Sequence, residues 1–180
     1  MNESIMEAYN YQEAAPDVVR RDEPDVPGGF VAGGDYAGRD LAGSDLAGKR
    51  LSGANFSQAK LCNAQLRGAL LDGANLSGAD LSGADLELAV LGGANLGGAQ
   101  LIGAKLKRAN LVGVQAENAD FSEADFYYAR TGNGHFEGAR LVNASIERAI
   151  FRRANMRNAD LRGAMGQANF ENAILEGVKR

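Results

Sequence analysis

The sequence has few of the residues on which most enzyme active sites depend. It contains one cysteine, Cys62, one histidine, His135, and no tryptophan. A single cysteine excludes an internal disulfide framework and a cysteine-based metal site, and a single histidine excludes a His cluster. These counts remove most metalloenzymes and most His-dependent hydrolases. We therefore expect no catalytic residue, no metal, no cofactor and no small-molecule substrate.

Long apolar segments are also missing. No apolar run reaches the roughly 18 residues that a membrane-spanning helix needs. The first residues, Met1–Ser4, have neither the basic region nor the apolar stretch of a secretory signal. The sequence therefore predicts a cytoplasmic protein that does not act at a membrane.

Acidic residues and prolines are concentrated at the start of the chain. Residues 1–28 hold seven acids, two bases and all three prolines, a net charge of −5. The whole chain carries −4, so residues 29–180 carry +1. We place a boundary here between an acidic tail, 1–28, and a repeat domain, 29–180. Two alternatives are open for the tail: a short helix from the capping-box sequence Ser4–Glu7 that caps the domain, or disorder caused by charge and proline.

A period of five residues organises the rest of the chain. From Tyr36 to Leu161, 24 of the 26 residues at every fifth position are large and apolar, Ala116 and Thr131 being the exceptions. The residue two places earlier is Ala in 20 of the 26 repeats. Neither the helix period of 3.6 nor the strand period of 2 fits this spacing. The pattern predicts a chain that coils around a narrow axis with its Leu and Ala side chains inside.

The residue two places after each large apolar residue indicates a tight corner. It is Gly in 14 of the 26 repeats and Asn in five more. Both tolerate the positive φ that the third position of a type II turn requires. One set of corners has neither residue, and there we predict a different turn type: Leu88, Arg108, Tyr128 and Arg148.

Ala-Asn-Leu-Ser-Gly at 74–78, Ala-Asp-Leu-Ser-Gly at 79–83 and their neighbours resemble the pentapeptide-repeat family over residues 36–177. The resemblance implies an all-β fold, a right-handed quadrilateral β-helix with four repeats per coil. The 28 repeats of this chain would then form seven coils. The family is widespread in bacteria. Its best-understood members bind DNA gyrase as DNA mimics and protect the enzyme from quinolones or peptide toxins.

With four repeats per coil, residues 20 apart should stack in columns. One column alternates acidic and basic side chains, beginning with Asp40 and Lys60, and another repeats asparagine, beginning with Asn55 and Asn75. We interpret both as stabilising stacks. A third side combines tyrosine, arginine and aliphatic residues, with Tyr128 between two arginines at cation–π distance. Such a mixture suits a protein-binding surface, whose candidate residues are Leu70, Leu88, Val90, Arg108, Tyr127, Tyr128, Arg130 and Arg148.

Three features depart from the regular pattern. Thr131 occupies a core position between glycines and predicts a local bulge or bend. One residue is missing after Leu161, so we expect Met165–Gly166 to distort the last coil. Residues 140–162 carry a net charge of +4, but their arginines fall on four different sides, so direct nucleic-acid binding is not expected.

Three functions were weighed. The first is a non-catalytic interaction module or scaffold with an unknown protein partner. The second is a gyrase- or topoisomerase-protecting DNA mimic, against which stands the nearly neutral charge of residues 29–180. The third, an enzyme, is disfavoured because Cys62 and His135 belong to different columns. The C-terminal coil, with Phe170 and Leu175 at an open end, also leaves a homodimer open.

Overall fold

The computed structural model describes residues 29–180. The tail and its suggested helix lie outside these residues, and the domain boundary stays a prediction. Within 29–180 the backbone has no helix and no continuous strand. It has isolated bridges and two-residue turns that repeat every five residues. In this part of the chain no helix is long and apolar enough to cross a membrane.

Parallel bridges stack the coils of a β-solenoid. Each bridge joins residues 20 apart, for example Asp40 with Lys60, from Asp35 as far as the bridge between Ser145 and Met165. Four consecutive repeats supply one bridge each, so the bridges form four columns along the axis. The prediction that residues 20 apart stack is therefore confirmed.

The hydrogen bonds that one repeat makes explain how five residues can satisfy their backbone groups. In the repeat at Leu51, the N–H of Ala54 donates to the Leu51 carbonyl at 3.0 Å and closes a turn. The Leu51 N–H donates to Leu70 O at 2.7 Å, and the Gly53 N–H donates to Asp72 O at 2.9 Å, both in the next coil. The short bridge and the turn thus satisfy the backbone without a longer strand, as a buried backbone requires.

Every corner adopts the left-handed conformation, whichever residue occupies it. The φ angle is +63° at Gly93, and it is +61° at Leu88, +56° at Arg108 and Tyr128, and +59° at Arg148. The prediction of a different turn type at these four positions is therefore wrong. The bonds between coils hold the backbone in place, since Leu88 N donates to Lys107 O at 3.0 Å just as a corner glycine does. A different turn would break this ladder of hydrogen bonds between coils. That loss would exceed the cost of about 1–2 kcal/mol that the left-handed conformation carries.

The interior is a single column of apolar side chains. The inward Leu and Ala of the central coils are fully buried, as at Ala94 and Leu96. Phenylalanines fill the later coils and contact one another, with 5.3 Å between the ring centroids of Phe121 and Phe126. Val114 and Ala116, the larger and smaller exceptions of one repeat, are both fully buried. This is the filled core that the five-residue pattern predicts.

The first coil is fixed by an aromatic stack. The Tyr36 ring lies 4.9 Å from the Phe56 ring and 5.0 Å from the Phe30 ring, centroid to centroid. The Tyr36 hydroxyl donates to Gly29 O at 2.6 Å and accepts from Val31 N at 2.7 Å. The point at which the tail joins the solenoid is therefore held in one place.

The two expected irregularities differ in outcome. At Thr131 the bridges continue without a bulge, so that prediction is wrong. The Thr131 hydroxyl is buried and donates to Ile150 O at 2.8 Å, which satisfies it inside the core. Around Met165–Gly166 the distortion is confirmed, because the following bridges join residues 19 apart and Gly166 has a φ of +98°.

Candidate partner-binding surface

One corner of the solenoid carries large side chains where the other corners carry mainly glycine or asparagine. Leu88, Arg108, Tyr128 and Arg148 follow one another in successive coils, 20 residues apart. Their turns are closed by the same bond as elsewhere, for instance Ala129 N to Phe126 O at 2.7 Å. We call this set of four residues the tyrosine corner. The left-handed backbone directs each of these side chains outward, since the inward positions belong to Leu and Ala.

Tyr128 is held by contacts on two sides. The Tyr127 ring meets it edge-on, with 4.6 Å between centroids and an angle of 90°. The Arg148 guanidinium carbon lies 5.3 Å from the Tyr128 ring centroid, and Arg148 Nη1 donates to the Tyr128 hydroxyl. The predicted cation–π contact is thus confirmed for Arg148. Arg108 lies one coil earlier at the same corner, with its N–H donating to Tyr127 O at 2.8 Å.

The charge at this corner is stable over the physiological range of pH. The hydrogen bond to the Tyr128 hydroxyl raises the pKa of Arg148 above its ordinary value. Glu147 Oε1 lies 3.8 Å from Arg148 Nε, and Glu147 Oε2 accepts from Gln167 N at 2.8 Å. A ring pair and a fixed cation therefore share one surface, and Tyr127 is 37% exposed.

The aliphatic residues of the candidate surface lie in the adjacent column. Bridges join Leu70 to Val90, Val90 to Asn110, and Asn110 to Arg130. Leu70, Leu88 and Val90 do lie close together, but each is half-buried. The sequence analysis therefore predicted the positions of these three residues correctly but overestimated the apolar surface that they expose.

Arginines from successive coils lie in neighbouring columns at and beside the tyrosine corner. Arg130 pairs with Ile150 of the next coil, and Arg152 and Arg153 come two and three residues after Ile150. Together with Arg108 and Arg148 of the corner they form a set that we call the arginine face. Arg152 Nε lies 3.4 Å from Glu171 Oε2. The sequence analysis assigned the arginines of residues 140–162 to four different sides and did not group Arg152 and Arg153 with Arg130.

Two further columns contain polar contacts between neighbouring coils. Lys60 Nζ lies 3.4 Å from Asp40 Oδ2, and Arg140 Nε lies 3.2 Å from Asp120 Oδ2. In the asparagine column, Asn75 Nδ2 donates to Asn55 Oδ1 at 3.3 Å. Asn55 Oδ1 also accepts from the backbone of Ser57 at 3.2 Å. Both stabilising stacks are as predicted.

Cys62 and His135 lie on different sides of the solenoid, as the columns predict. His135 bridges Gln115 and Asn155 in the asparagine column. Its Nδ1 lies 3.9 Å from Glu117 Oε1. Cys62 follows Leu61 in the column next to the Asp40–Lys60 stack and is a free thiol. Over residues 29–180, no group of three or more His, Cys, Asp or Glu is arranged to hold a metal ion.

Comparison with protein families gives the chain its place. The family model described as "Pentapeptide repeats" matches the chain in eight copies, and the matched regions cover residues 40–130 and 135–164. The chain belongs to the pentapeptide-repeat family. No curated protein sequence matches it significantly.

The chain is similar to several solved structures of pentapeptide-repeat proteins. QnrB1, a plasmid-mediated fluoroquinolone resistance protein, is 18% identical, and the alignment covers 83% of this chain and 87% of that chain with a TM-score of 0.58. HetL, a pentapeptide repeat protein involved in heterocyst differentiation regulation from the cyanobacterium Nostoc sp. strain PCC 7120, is 24% identical, with 81% and 84% covered and a TM-score of 0.47. A pentapeptide repeat protein from the Arabidopsis thaliana thylakoid lumen is 33% identical, with 64% and 70% covered and a TM-score of 0.32. At these values QnrB1 supports the solenoid fold.

Proposed function

We propose that this pentapeptide-repeat protein is a non-catalytic interaction module or scaffold that binds a protein partner through the tyrosine corner and its neighbours. The observation that carries the proposal is the edge-on pair of Tyr127 and Tyr128 with Arg148 stacked against it. Tyrosine and arginine are the residue types most enriched at the energetic centres of protein interfaces. Here both are already held in position before a partner arrives, which lowers the entropy cost of binding.

The packing of the solenoid directs function to the surface. Its central inward positions are fully buried Leu, Ala and Phe side chains, so the interior offers no room for a substrate. The single cysteine and the single histidine, Cys62 and His135, lie on different sides and cannot act as a pair. Function in such a repeat protein resides in what its outer columns present.

Affinity capture tests the surface with a matched control. Tyr128→Ala removes the ring but keeps a left-handed corner, where φ is +56°. Glu123→Ala makes a comparable truncation at a corner with φ of +62° on another side. From a lysate of the organism that encodes the protein, we expect partners bound by the native chain to be lost with Tyr128→Ala and kept with Glu123→Ala. Equal recovery by all three chains would remove the tyrosine corner from the proposal.

The DNA-mimic function receives less support from the charges. Along the side that holds the Asp40–Lys60 stack, and along the asparagine side, acids are interrupted by Lys60, Arg140 and Arg157. A DNA mimic needs a continuous negative surface to compete for a DNA-binding site. A gyrase supercoiling assay with and without ciprofloxacin tests this function directly. Inhibition or drug protection at micromolar protein would favour it over the scaffold.

Finer features of the fold belong to the same proposal. We take the solenoid to be right-handed, with seven coils, and to act in the cytoplasm.

A homodimer through the C-terminal coil is supported by Phe170, Leu175 and Val178, which pack against the core but stay partly exposed at its end. Sedimentation of the native chain and of Phe170→Asp would test this: a dimer that the substitution converts to a monomer supports it, and a native monomer contradicts it.

A further inference from the structure

One corner asparagine of the solenoid is followed by glycine. Asn133–Gly134 is the single Asn-Gly pair in the whole sequence. Asparagine is among the thermally labile residues, and a following glycine makes it more so. Glycine has no side chain to hinder its backbone nitrogen as that nitrogen approaches the asparagine side chain. The other asparagines at left-handed corners all precede alanine: Asn63, Asn118, Asn143, Asn158 and Asn172.

The glycine at position 134 follows from the packing of the core. Alanine is the usual residue at this place in the repeat. A Cβ at Gly134 would lie 2.6 Å from Phe136 Cε2 and 3.0 Å from Thr131 O, and Gly134 is buried. Neither distance leaves room for a methyl group unless the aromatic ring or the backbone moves. The core therefore favours glycine here and creates the Asn-Gly pair.

At four other corners the asparagine side chain packs against the next coil. Its amide oxygen occupies the place that a Cβ would take at the corner glycine of that coil. The pairs are Asn63 over Gly83, Asn118 over Gly138, Asn143 over Gly163, and Asn158 over Gly177. At Asn133 the corner of the next coil is Arg153 instead. The amide of Asn133 therefore does not have the position that holds the other four.

Asn143 provides a matched comparison within the same chain. Its φ is +57° and that of Asn133 is +55°, and both residues are exposed. In both repeats the corner N–H donates to the next coil at 3.0 Å, and the turn is closed by a bond of 3.1 Å. The two repeats therefore differ at the residue after the asparagine and at the corner of the next coil.

We propose that Asn133 is a site of spontaneous deamidation in the folded solenoid. The Gly134 nitrogen leaves its turn bond to Thr131 O, gives its proton to solvent and attacks Cγ of Asn133. The new bond between this nitrogen and Cγ closes a succinimide ring, and the side-chain amide nitrogen leaves as ammonia. Water then opens the ring at either carbonyl and yields aspartate or isoaspartate. The reaction consumes one water and needs neither an oxidant nor a reductant.

The two products affect the solenoid differently. Aspartate at position 133 adds one negative charge in the coil before Arg153, so the net charge of residues 29–180 falls from +1 to zero. Isoaspartate routes the backbone through the side chain and lengthens it by one atom. The bonds from the N–H groups of residues 133 and 134, to Arg152 O at 3.0 Å and Thr131 O at 3.1 Å, then cannot both persist. We therefore expect the isoaspartate form to unfold at a lower urea concentration than the native chain.

Peptide mass spectrometry of the aged full-length protein tests the proposal. Trypsin cleaves after Arg130, Arg140 and Arg148, so peptides 131–140 and 141–148 each carry one asparagine, Asn133 and Asn143. In mildly alkaline buffer we expect conversion at Asn133 to be about tenfold faster than at Asn143, which equals a barrier lower by about 1.4 kcal/mol. Isoaspartate, detected with an isoaspartyl methyltransferase, reports the succinimide route, since direct hydrolysis of the amide yields aspartate alone. Equal rates at the two residues, or aspartate alone, would overturn the proposal.

Two glycine substitutions separate the effect of the fold from that of the Asn-Gly pair. Arg153→Gly keeps a left-handed corner, with φ of +58°, and offers the Asn133 amide the position that Asn143 has over Gly163. We expect conversion at Asn133 to slow several-fold in this variant. Ala144→Gly creates a second Asn-Gly pair, but the Asn143 amide still covers Gly163, so conversion there should stay slower than at native Asn133.

These variants also show which state of the chain reacts. Urea melts of each variant establish that it is folded under the conditions of ageing. An unchanged rate at Asn133 in folded Arg153→Gly would mean that the unfolded chain reacts, and the proposal for the folded solenoid would fail. Conversion at Asn143 in Ala144→Gly as fast as at native Asn133 would contradict it in the same way. The proposed partner surface is not involved in either result.

Discussion

Two adjacent glycines provide a direct test of the left-handed corners. Gly92 and Gly93 occupy one turn, closed by Ala94 N donating to Leu91 O at 3.0 Å. Gly93 has a φ of +63°, and a Cβ there would meet nothing within 4 Å. Gly92 does not have a left-handed φ, and its Cβ would meet Val112 O at 3.7 Å, an ordinary contact. Alanine therefore fits sterically at both positions, and only the backbone conformation separates them.

The expected effects have opposite signs. Either substitution lowers the entropy of the unfolded chain, which stabilises the protein by about 0.4–1 kcal/mol where the native φ suits alanine. At Gly93 the left-handed backbone adds a cost of about 1–2 kcal/mol. We expect Gly92→Ala to stabilise the solenoid and Gly93→Ala to destabilise it. Because the unfolded-state effect is common to both variants, their free energies of unfolding should differ by about 1–2 kcal/mol.

Urea unfolding followed by circular dichroism measures this difference. If the slope with urea is the same in both variants, the shift in midpoint reports stability alone. A difference of this size corresponds to roughly 2–8 °C in melting temperature for a domain of this length. Gly93→Ala as stable as Gly92→Ala would refute the argument that corner φ angles, and not contacts, set the cost.

Three further predictions concern the core and its pH dependence. Leu96→Asp puts an unpaired carboxylate at a fully buried position, so circular dichroism should show loss of the ordered coils. A soluble variant with native melting would refute the assignment of every fifth residue to the interior. Thr131→Val should change the free energy of unfolding by less than about 1 kcal/mol, because Ile150 O keeps its bond from Thr131 N at 2.9 Å. A larger decrease in the free energy of unfolding, measured with urea, would show that the hydroxyl matters more than its geometry indicates. The hydrogen bond from Arg162 lowers the pKa of Asp160 to about 2, so its stabilisation is complete above the ordinary carboxyl pKa and is lost as the pH falls towards 2. Arg162→Ala should therefore begin acid unfolding at a higher pH than the native chain, and coincident acid titrations would contradict this.

The five-residue period predicted most of the fold. Because Leu, Ala and Gly or Asn each occupy one place in the repeat, the sequence states which side chains lie inside and where the chain turns. The stacking of Asp40 on Lys60 and of Asn55 on Asn75 followed from the same spacing. Such local regularity is what makes repeat proteins predictable.

Predictions from residue preference alone were less reliable. The corners at Leu88 and Tyr128 keep the glycine conformation, because bonds to the next coil outweigh the intrinsic preference of one residue. Thr131 causes no bulge, because its hydroxyl finds a carbonyl in the adjacent coil. In both cases the hydrogen-bond partner lies in the next coil, so it could not be identified from a single repeat.

The candidate surface was found in part. Tyr128 and Arg148 do meet as the columns predict. Arg130 was not grouped with Arg152 and Arg153, because it belongs to an earlier coil and to a neighbouring column. How far Leu70 and Val90 are exposed depends on the side chains around them, which spacing does not describe.

The stacking of residues 20 apart underlies the proposed surface, and cysteine cross-linking tests this stacking most directly. In a Cys62→Ser background, Ser57→Cys and Ser77→Cys should lie in neighbouring coils, since Gln58 N donates to Ser77 O at 2.9 Å. Their Cα atoms, about one sheet spacing of 4.8 Å apart, fall in the range of roughly 4.4–6.8 Å that a disulfide accepts. Ser57→Cys with Ser82→Cys, on a different side, is the control. The account predicts that mild oxidation links 57 to 77 and leaves 57 and 82 reduced. A 57–82 bond that forms as readily, or a 57–77 pair that stays reduced in the folded protein, would contradict it.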